Sequence, residues 1–288
     1  HWGPDIFNNM GVRVPNYSEL SLEWLKYGFG RSCAKRSVMT YSYGSKQYGF
    51  KNQIQEDIMH PLLRECNKTG ADFPFSYDNG YRAASYIARL LWDAVVDSVK
   101  RPAQLMDWLT DAASKVAKEK FEMPDGTMHA MPVRWTTPLG FPVMQSYYDT
   151  NPRRVKTSIN GSLIYLTLKE QTDQICTRKS AQAMAPNTVH SWDASHLVLS
   201  VSRAAESGIT SFSQIHDSFA TVAGDTDEYW HIIRESMVEM YEAGDIVHNL
   251  YLELRAQMKP ENRDDIPLPP NKGTLDLAQT VESRYSFA

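Results

Sequence analysis

Acidic residues are missing from one long stretch of this sequence. Between Trp24 and Gln55 there are six basic residues, at positions 26, 31, 35, 36, 46 and 51, and no Asp or Glu. Such asymmetry marks a face that attracts a polyanion. Cysteine is scarce as well. The three cysteines, Cys33, Cys66 and Cys176, follow no CxxC spacing. That argues against a disulfide framework or a structural zinc and favours a reducing, cytosolic setting. No apolar run reaches the roughly 18 residues that a membrane-spanning helix needs. A GxxxxGK[ST] motif is also absent, which excludes the P-loop way of holding phosphates. Neither internal repeats nor low-complexity segments interrupt the chain.

What is present is a chain of 288 residues, 42% apolar, with seven Trp and fifteen Tyr. This suffices for one large domain or two modest ones. Its first residue is His1, so the chain is expected to be part of a longer polypeptide. The end of the chain reverses the charge of the beginning: from Asp225 onward there are thirteen acids against six bases.

Apolar spacing predicts helix from Ser21 to about Tyr43, bent or interrupted at Gly28 and Gly30. Helical spacing resumes from Lys46 to Asn67 through Phe50, Ile54, Ile58 and Leu62. After the loop GADFPFSYDNG, two helical segments cover 81–101 and 102–121, with Pro102 suited to a helix start. Beyond Met123 the texture turns to β-formers. PVRWTT and FPVMQSYY read as strands around Pro138-Leu139-Gly140. Asn160-Gly161 signals a hairpin within 153–179. HSWDASHLVLSVSRAAESG reads as a helix ending near Gly208. Two strand-like runs meet near His216-Asp217. EYWHIIRESMVEMYEAGDIVHNLYLELRAQM reads as one long helical stretch, followed by a Pro-rich tail. The predicted class is α+β with helices in the majority.

Three stretches carry chemistry. In RSCAKRSVMTYSYG, Arg31, Lys35, Met39 and Tyr43 stand four residues apart. On a helix they form one stripe, drifting by about 40° per step. A guanidinium and an ammonium one turn apart can grip a triphosphate, and a polarizable group farther along can face a base or sugar. Gly44 after Tyr43 lets another backbone or a template strand approach. A competing reading sends Met39 and Tyr43 into the core and leaves the cations solvated. In QIHDSF, Asp217 at a hairpin tip can bind Mg²⁺, although turns commonly carry Asp in any case. In HSWDASH, His190, Asp193 and His196 could cluster around a metal, but i+6 falls on another side of the helix. His190 acting as a single hydrogen-bond donor is the better reading.

Taken together, these segments resemble the single-subunit, bacteriophage-type DNA-dependent RNA polymerases. RSCAKRSVMTYSYGSKQYGF is similar to that family's nucleotide-binding fingers helix. APNTVHSWDASHL and SFSQIHDSF are similar to its downstream palm motifs. PVRWTTPLGFPV, NGYRAASYIARLLWDAV and the terminal Phe287-Ala288 also match, so the resemblance runs from about Trp24 to Ala288. It implies an incomplete right-hand polymerase fold. Residues 1–190 would form fingers, with the nucleotide-binding helix at 24–44 and a specificity-type hairpin at about 153–180. Residues 191–288 would form the carboxy-terminal palm.

The resemblance further implies that Arg31 and Lys35 contact the incoming triphosphate, Lys35 being catalytic, with Arg36 assisting. Met39 would pack near the nascent pair, and Tyr43-Gly44 would lie beside sugar and template. His190 would approach the ribose 2′-OH or base. Asp217, beside His216, would hold two Mg²⁺ ions for in-line attack by the RNA 3′-OH. Arg153, Arg154, Lys156, Arg178 and Lys179 would serve DNA phosphates or bases. The family's second metal-binding Asp, in a pattern like DxxxGLQ, does not precede Trp24. The implied partners are therefore an upstream polymerase portion or second subunit, promoter and template DNA, RNA and rNTPs, and no membrane. This chain alone is expected to be inactive. The implied location is the cytoplasm of an infected bacterial host. Two rivals remain: a right-hand DNA polymerase, which shares Arg-x3-Lys-x7-Tyr-Gly, and a noncatalytic nucleic-acid-binding assembly subunit.

Overall fold

A computed structural model of the chain describes residues 6–7, 13–41, 44–75 and 77–283. The chain divides into two compact units, His1–Ala103 and Gln104–Ala288.

In the first unit, a short antiparallel pair, β1 (Ile6–Phe7) and β2 (Arg13–Val14), precedes helix α1 (Tyr17–Tyr27). Asn16 and Glu19 start α1 with a reciprocal capping box: Glu19 N donates to Asn16 Oδ1 at 3.0 Å, and Asn16 N donates to Glu19 Oε2 at 2.8 Å. The expected interruption at Gly28–Gly30 separates α1 from α2 (Arg31–Tyr41). Then come α3 (Gln47–Ile54), a π-helical turn (Gln55–Met59), α4 (His60–Thr69) and α5 (Tyr81–Ser98). A strict spacing of four drifts around an α-helix, and the wider π turn takes up part of that drift. Phe50, Ile54 and Ile58 therefore all enter the core. The small residues Ala83, Ala84 and Ala88 of α5 let the neighbouring helices approach closely in the same core. Trp24 crosses to this helix, its Nε1 donating to the Ala83 carbonyl at 2.9 Å.

Helix α6 (Lys100–Val116) begins in the first unit and runs into the second. Among its described residues the second unit contains four antiparallel hairpins: β3 (Lys120–Glu122) with β4 (Met128–Ala130), β5 (Val133–Thr136) with β6 (Pro142–Gln145), β7 (Tyr148–Ile159) with β8 (Ser162–Ile175), and β9 (Phe212–Ile215) with β10 (Ser218–Thr221). Helix α7 (Thr177–Glu206) joins the third hairpin to the fourth, and α8 (Thr226–Glu242), α9 (Ile246–Ala256) and α10 (Gln279–Glu282) follow. Trp108, Trp135, Met184, Trp192 and Leu254 anchor the larger core. A smaller core of Ala204, Ile209, Tyr229, Ile232 and Ile233 lies against Phe212 and Phe219 of the last hairpin. Among the described residues, no helix is long and apolar enough to cross a membrane.

The α+β class and the hairpin turns agree with the sequence reading, but several boundaries differ. The second predicted helix stops at Val116 rather than Phe121. Asp125 Oδ1 accepts from Thr127 N at 3.0 Å and from its hydroxyl at 2.6 Å, and this local turn draws 120–130 into a hairpin. The helix expected from His190 begins at Thr177 and tolerates Pro186 in its interior. Buried Ser180, Ala181, Met184, Thr188 and Trp192 hold that face against the core, which outweighs the missing N–H of the proline. Arg178 and Lys179 consequently stand in the first turn of α7, outside the hairpin to which the sequence assigned them. The expected division after residue 190 falls inside this continuous helix. The long helical stretch after 228 breaks between α8 and α9, where Asp245 Oδ1 caps α9 by accepting from His248 N at 3.0 Å.

Candidate active site

The row that begins at Arg31 survives as a surface feature. Arg31, Lys35 and Met39 are exposed, with Met39 50% accessible, whereas Cys33, Ser37 and Tyr41 on the opposite row are buried. Met39 therefore does not enter the core, contrary to the competing reading. Gln53 of α3 fixes the rotation of α2: its Nε2 donates to Thr40 Oγ1 at 2.9 Å, and Ser37 Oγ donates to its Oε1 at 3.3 Å. Tyr41 adds edge contacts to Phe50 and Trp92, with ring centroids 6.5 and 5.4 Å away. Tyr43 lies outside the described residues. Gly44 is described, and its φ of 83° is a backbone conformation that side chains with a Cβ rarely adopt.

The six-cation patch shrinks once the chain is folded. Arg36, expected to assist, is bound to Glu56 at 3.0 Å and Asp57 at 2.7 Å, and these partners hold its proton more tightly than usual. Lys51 is buried, its Nζ donating to Tyr81 Oη at 2.9 Å and lying 4.0 Å from the Tyr48 ring centroid. Lys26, Arg31, Lys35 and Lys46 remain exposed. Arg31 and Lys35 form no ion pair among the described residues.

In the second unit, Ile215 pairs with Ser218, so His216 and Asp217 form the two-residue tip of the β9–β10 hairpin. His216 has φ of 54°, a left-handed conformation that costs a non-glycine residue about 1 kcal/mol. Both tip residues are exposed. Asp217 opens on a cavity of about 570 Å³ lined also by Ser218, Phe219, Thr226, Tyr229 and Trp230. Behind it, the buried Arg234 guanidinium lies 3.2 Å from the Trp230 ring centroid.

Folding brings HSWDASH and QIHDSF within electrostatic reach of each other. Asp193 of α7 keeps contact with solvent, yet partial burial pushes its carboxyl above the ordinary range. His190 and His196 pull it down, and the negative charge of Asp217 pushes it up again. Tyr241 is pushed up to about 12, first by burial and then by Asp193. His196 faces inward, its Nε2 2.7 Å from the Ile233 carbonyl, and burial lowers its pKa. Donating to that carbonyl is a structural role. His190 stays exposed on α7. The sequence reading did not place Asp193 near Asp217. The available signal was its i+3 spacing from His190, but its approach to Asp217 depends on how α7 packs.

These residues do not complete a divalent-cation site. Among the described residues there is no group of three or more His, Cys, Asp or Glu that could hold a metal. Asp217 supplies a single exposed carboxylate, with Asp193 as a neighbouring charge.

The remaining candidate residues lie on the third hairpin. Ile159 pairs with Ser162 around Asn160 (φ 51°) and Gly161 (φ 78°), the positive pair that a tight two-residue turn uses. Arg153 is tied to Glu170 at 3.0 Å. Arg154 lies over the Tyr165 ring, 4.4 Å from its centroid. Arg154 and Lys156 share one face of the ribbon, and Arg153 points to the other.

A family model for DNA-dependent RNA polymerase matches residues 15–266. The chain is 38% identical over 276 residues to a DNA-directed RNA polymerase of Enterobacteria phage T3, which covers 94% of this chain and 30% of that protein. It is 37% identical over 274 residues to the T7 RNA polymerase of Escherichia phage T7, covering 93% and 30%. A mitochondrial DNA-directed RNA polymerase 1 of Nicotiana sylvestris is 35% identical over 258 residues, covering 89% and 23%. The chain thus spans about 30% of the length of the phage relatives.

Proposed function

The chain belongs to the DNA-dependent RNA polymerase family, and from that premise we propose that it is the nucleotide-binding and carboxy-terminal palm portion of a DNA-directed RNA polymerase acting in an infected bacterial cell. The observation that carries this reading is the exposed Arg31–Lys35–Met39 row, with its back buried and its two cations in no ion pair among the described residues. Arg31 and Lys35 grip the triphosphate of the incoming ribonucleotide. Lys35 neutralises charge that builds on the pyrophosphate as the RNA 3′-OH attacks the α-phosphorus, and hands a proton to that leaving group. Met39 lies against the nascent pair, Tyr43 selects the ribose, and His190 donates to the sugar or base.

Asp217 would be one ligand of a Mg²⁺ site, with the other carboxylate supplied by a polymerase portion outside this chain. When bound, the ions supply charge neutralisation at the reacting phosphate. On this reading the chain alone makes no RNA. Arg154 and Lys156, on one face of the β7–β8 ribbon, meet promoter DNA, whereas Arg153 is engaged by Glu170.

The test is RNA synthesis by the assembled polymerase carrying Asp217→Asn. Synthesis should be abolished while DNA binding stays nearly intact. Elongation at close to the normal rate would remove Asp217 from the metal site.

A further inference from the structure

The β7–β8 ribbon has a second face, and we propose that this face docks on the part of the polymerase that lies outside this chain. The inference rests on the polymerase reading above. Strand register sorts the side chains. Arg153 with Leu168, Val155 with Leu166, Thr157 with Ile164 and Ile159 with Ser162 point to one side. Arg154 with Thr167, Lys156 with Tyr165 and Ser158 with Leu163 point to the other.

The two faces differ in chemistry. Between Asn151 and Glu170, the side with Arg154 and Lys156 also carries Lys169, paired with Pro152, and no acid, beside the exposed Leu163 and Tyr165. Over the paired stretch from Asn151 to Glu170 the opposite side carries Val155, Ile159, Ile164, Leu166 and Leu168, and its two charged residues there, Arg153 and Glu170, are paired with each other. Ile159, Leu166 and Leu168 are 55%, 45% and 50% exposed. A two-stranded ribbon is marginal when it stands alone in water, and a row of exposed aliphatic side chains marks a contact surface. A polyanion has nothing to bind on this neutral face, so its occupant is protein. The chain spans only 30% of its phage relatives, so most of a relative's length has no counterpart here. That missing portion is the occupant to which we commit.

Positions 165 and 166 are adjacent but face opposite ways, which makes a direct test possible. A photo-reactive p-benzoylphenylalanine is placed at Leu166 or at Tyr165 of the assembled polymerase bound to promoter DNA. Cross-links are mapped by mass spectrometry, and RNA synthesis is assayed from a primed template. At 166 the main adduct should be a polypeptide segment from outside this chain, and at 165 it should shift to DNA. An adduct at 166 to DNA or to a second copy of this chain overturns the proposal, as does the lack of any protein adduct in an enzyme that still makes RNA. That last result leaves the polymerase reading standing. A polypeptide adduct at 166 in an enzyme unable to make RNA supports the docking and overturns the polymerase reading instead.

Discussion

Helix α2 and the β7–β8 ribbon both present cations to solvent, but they are backed differently. α2 sits on buried Cys33, Ser37 and Tyr41 and is pinned by Gln53. Along the ribbon, from Thr150 to Gln171, no residue is buried. A group that must meet a reacting phosphate has to be held rigidly, because small misplacements are costly in rate. A group that reads or docks can settle against its partner when it binds. The two regions thus use the same side-chain types with different degrees of preorganisation.

The sharpest way to break this comparison is at Lys35. Lys35→Ala should slow single-nucleotide incorporation by the assembled enzyme by about 10²- to 10⁴-fold, the range for loss of a proton-transferring side chain. A rate within a few-fold of normal would take α2 out of the chemistry. Next comes the backing itself. Tyr41→Ala should destabilise the first unit by about 3 kcal/mol, as for other large-to-small changes in a core. Ile159→Ser on the ribbon should stay within about 0.5 kcal/mol. Urea denaturation reads both, and similar losses at the two sites would erase the distinction.

A smaller effect separates the ribbon's cations from one another. Lys156→Ala should weaken promoter binding and lower the slope of log affinity against log salt by about one. Arg153→Ala should leave that slope nearly unchanged, because Glu170 already neutralises Arg153. Equal changes would mean that the face assignment is wrong.

The smallest expected effect concerns the pair joining α7 to α8, the helices that flank the Asp217 hairpin in sequence. Arg203 bonds to Glu239 and holds its carboxyl below the ordinary value of 4.5. Glu239 is therefore more acidic in the folded chain than in the unfolded one. Its contribution is present above 4.5 and is lost as pH falls through the lower, folded value. The pair is exposed, so little stability is at stake, and salt should screen it. Arg203→Leu should flatten this part of the acid limb of stability.

Much of the candidate site was legible because its signals are local. Asn160-Gly161 makes a hairpin from its own backbone preferences, and His216-Asp217 lies between two strand-forming runs. The i, i+4 row of Arg31, Lys35 and Met39 needs only a helix to become a stripe. The interruption at Gly28–Gly30 was legible for the same reason. The start of α7 was not, since Pro186 argues against helix and only burial of Met184, Thr188 and Trp192 overrides it. That is also why Arg178 and Lys179 were assigned to the wrong element.

By itself, then, the sequence determined the helix that carries two cations, the turns that expose Asp217 and Asn160, and the family resemblance carried by their order. Those features arise from residues within a few positions of one another, where backbone geometry leaves little choice. Only the tertiary structure decided which cations remain exposed. Arg36 meets acids about twenty residues away, and Lys51 meets Tyr81 across thirty. It also brought Asp193 within reach of Asp217 and gave the ribbon two unlike faces. Such pairings depend on how separate elements pack, and no local rule of spacing encodes that.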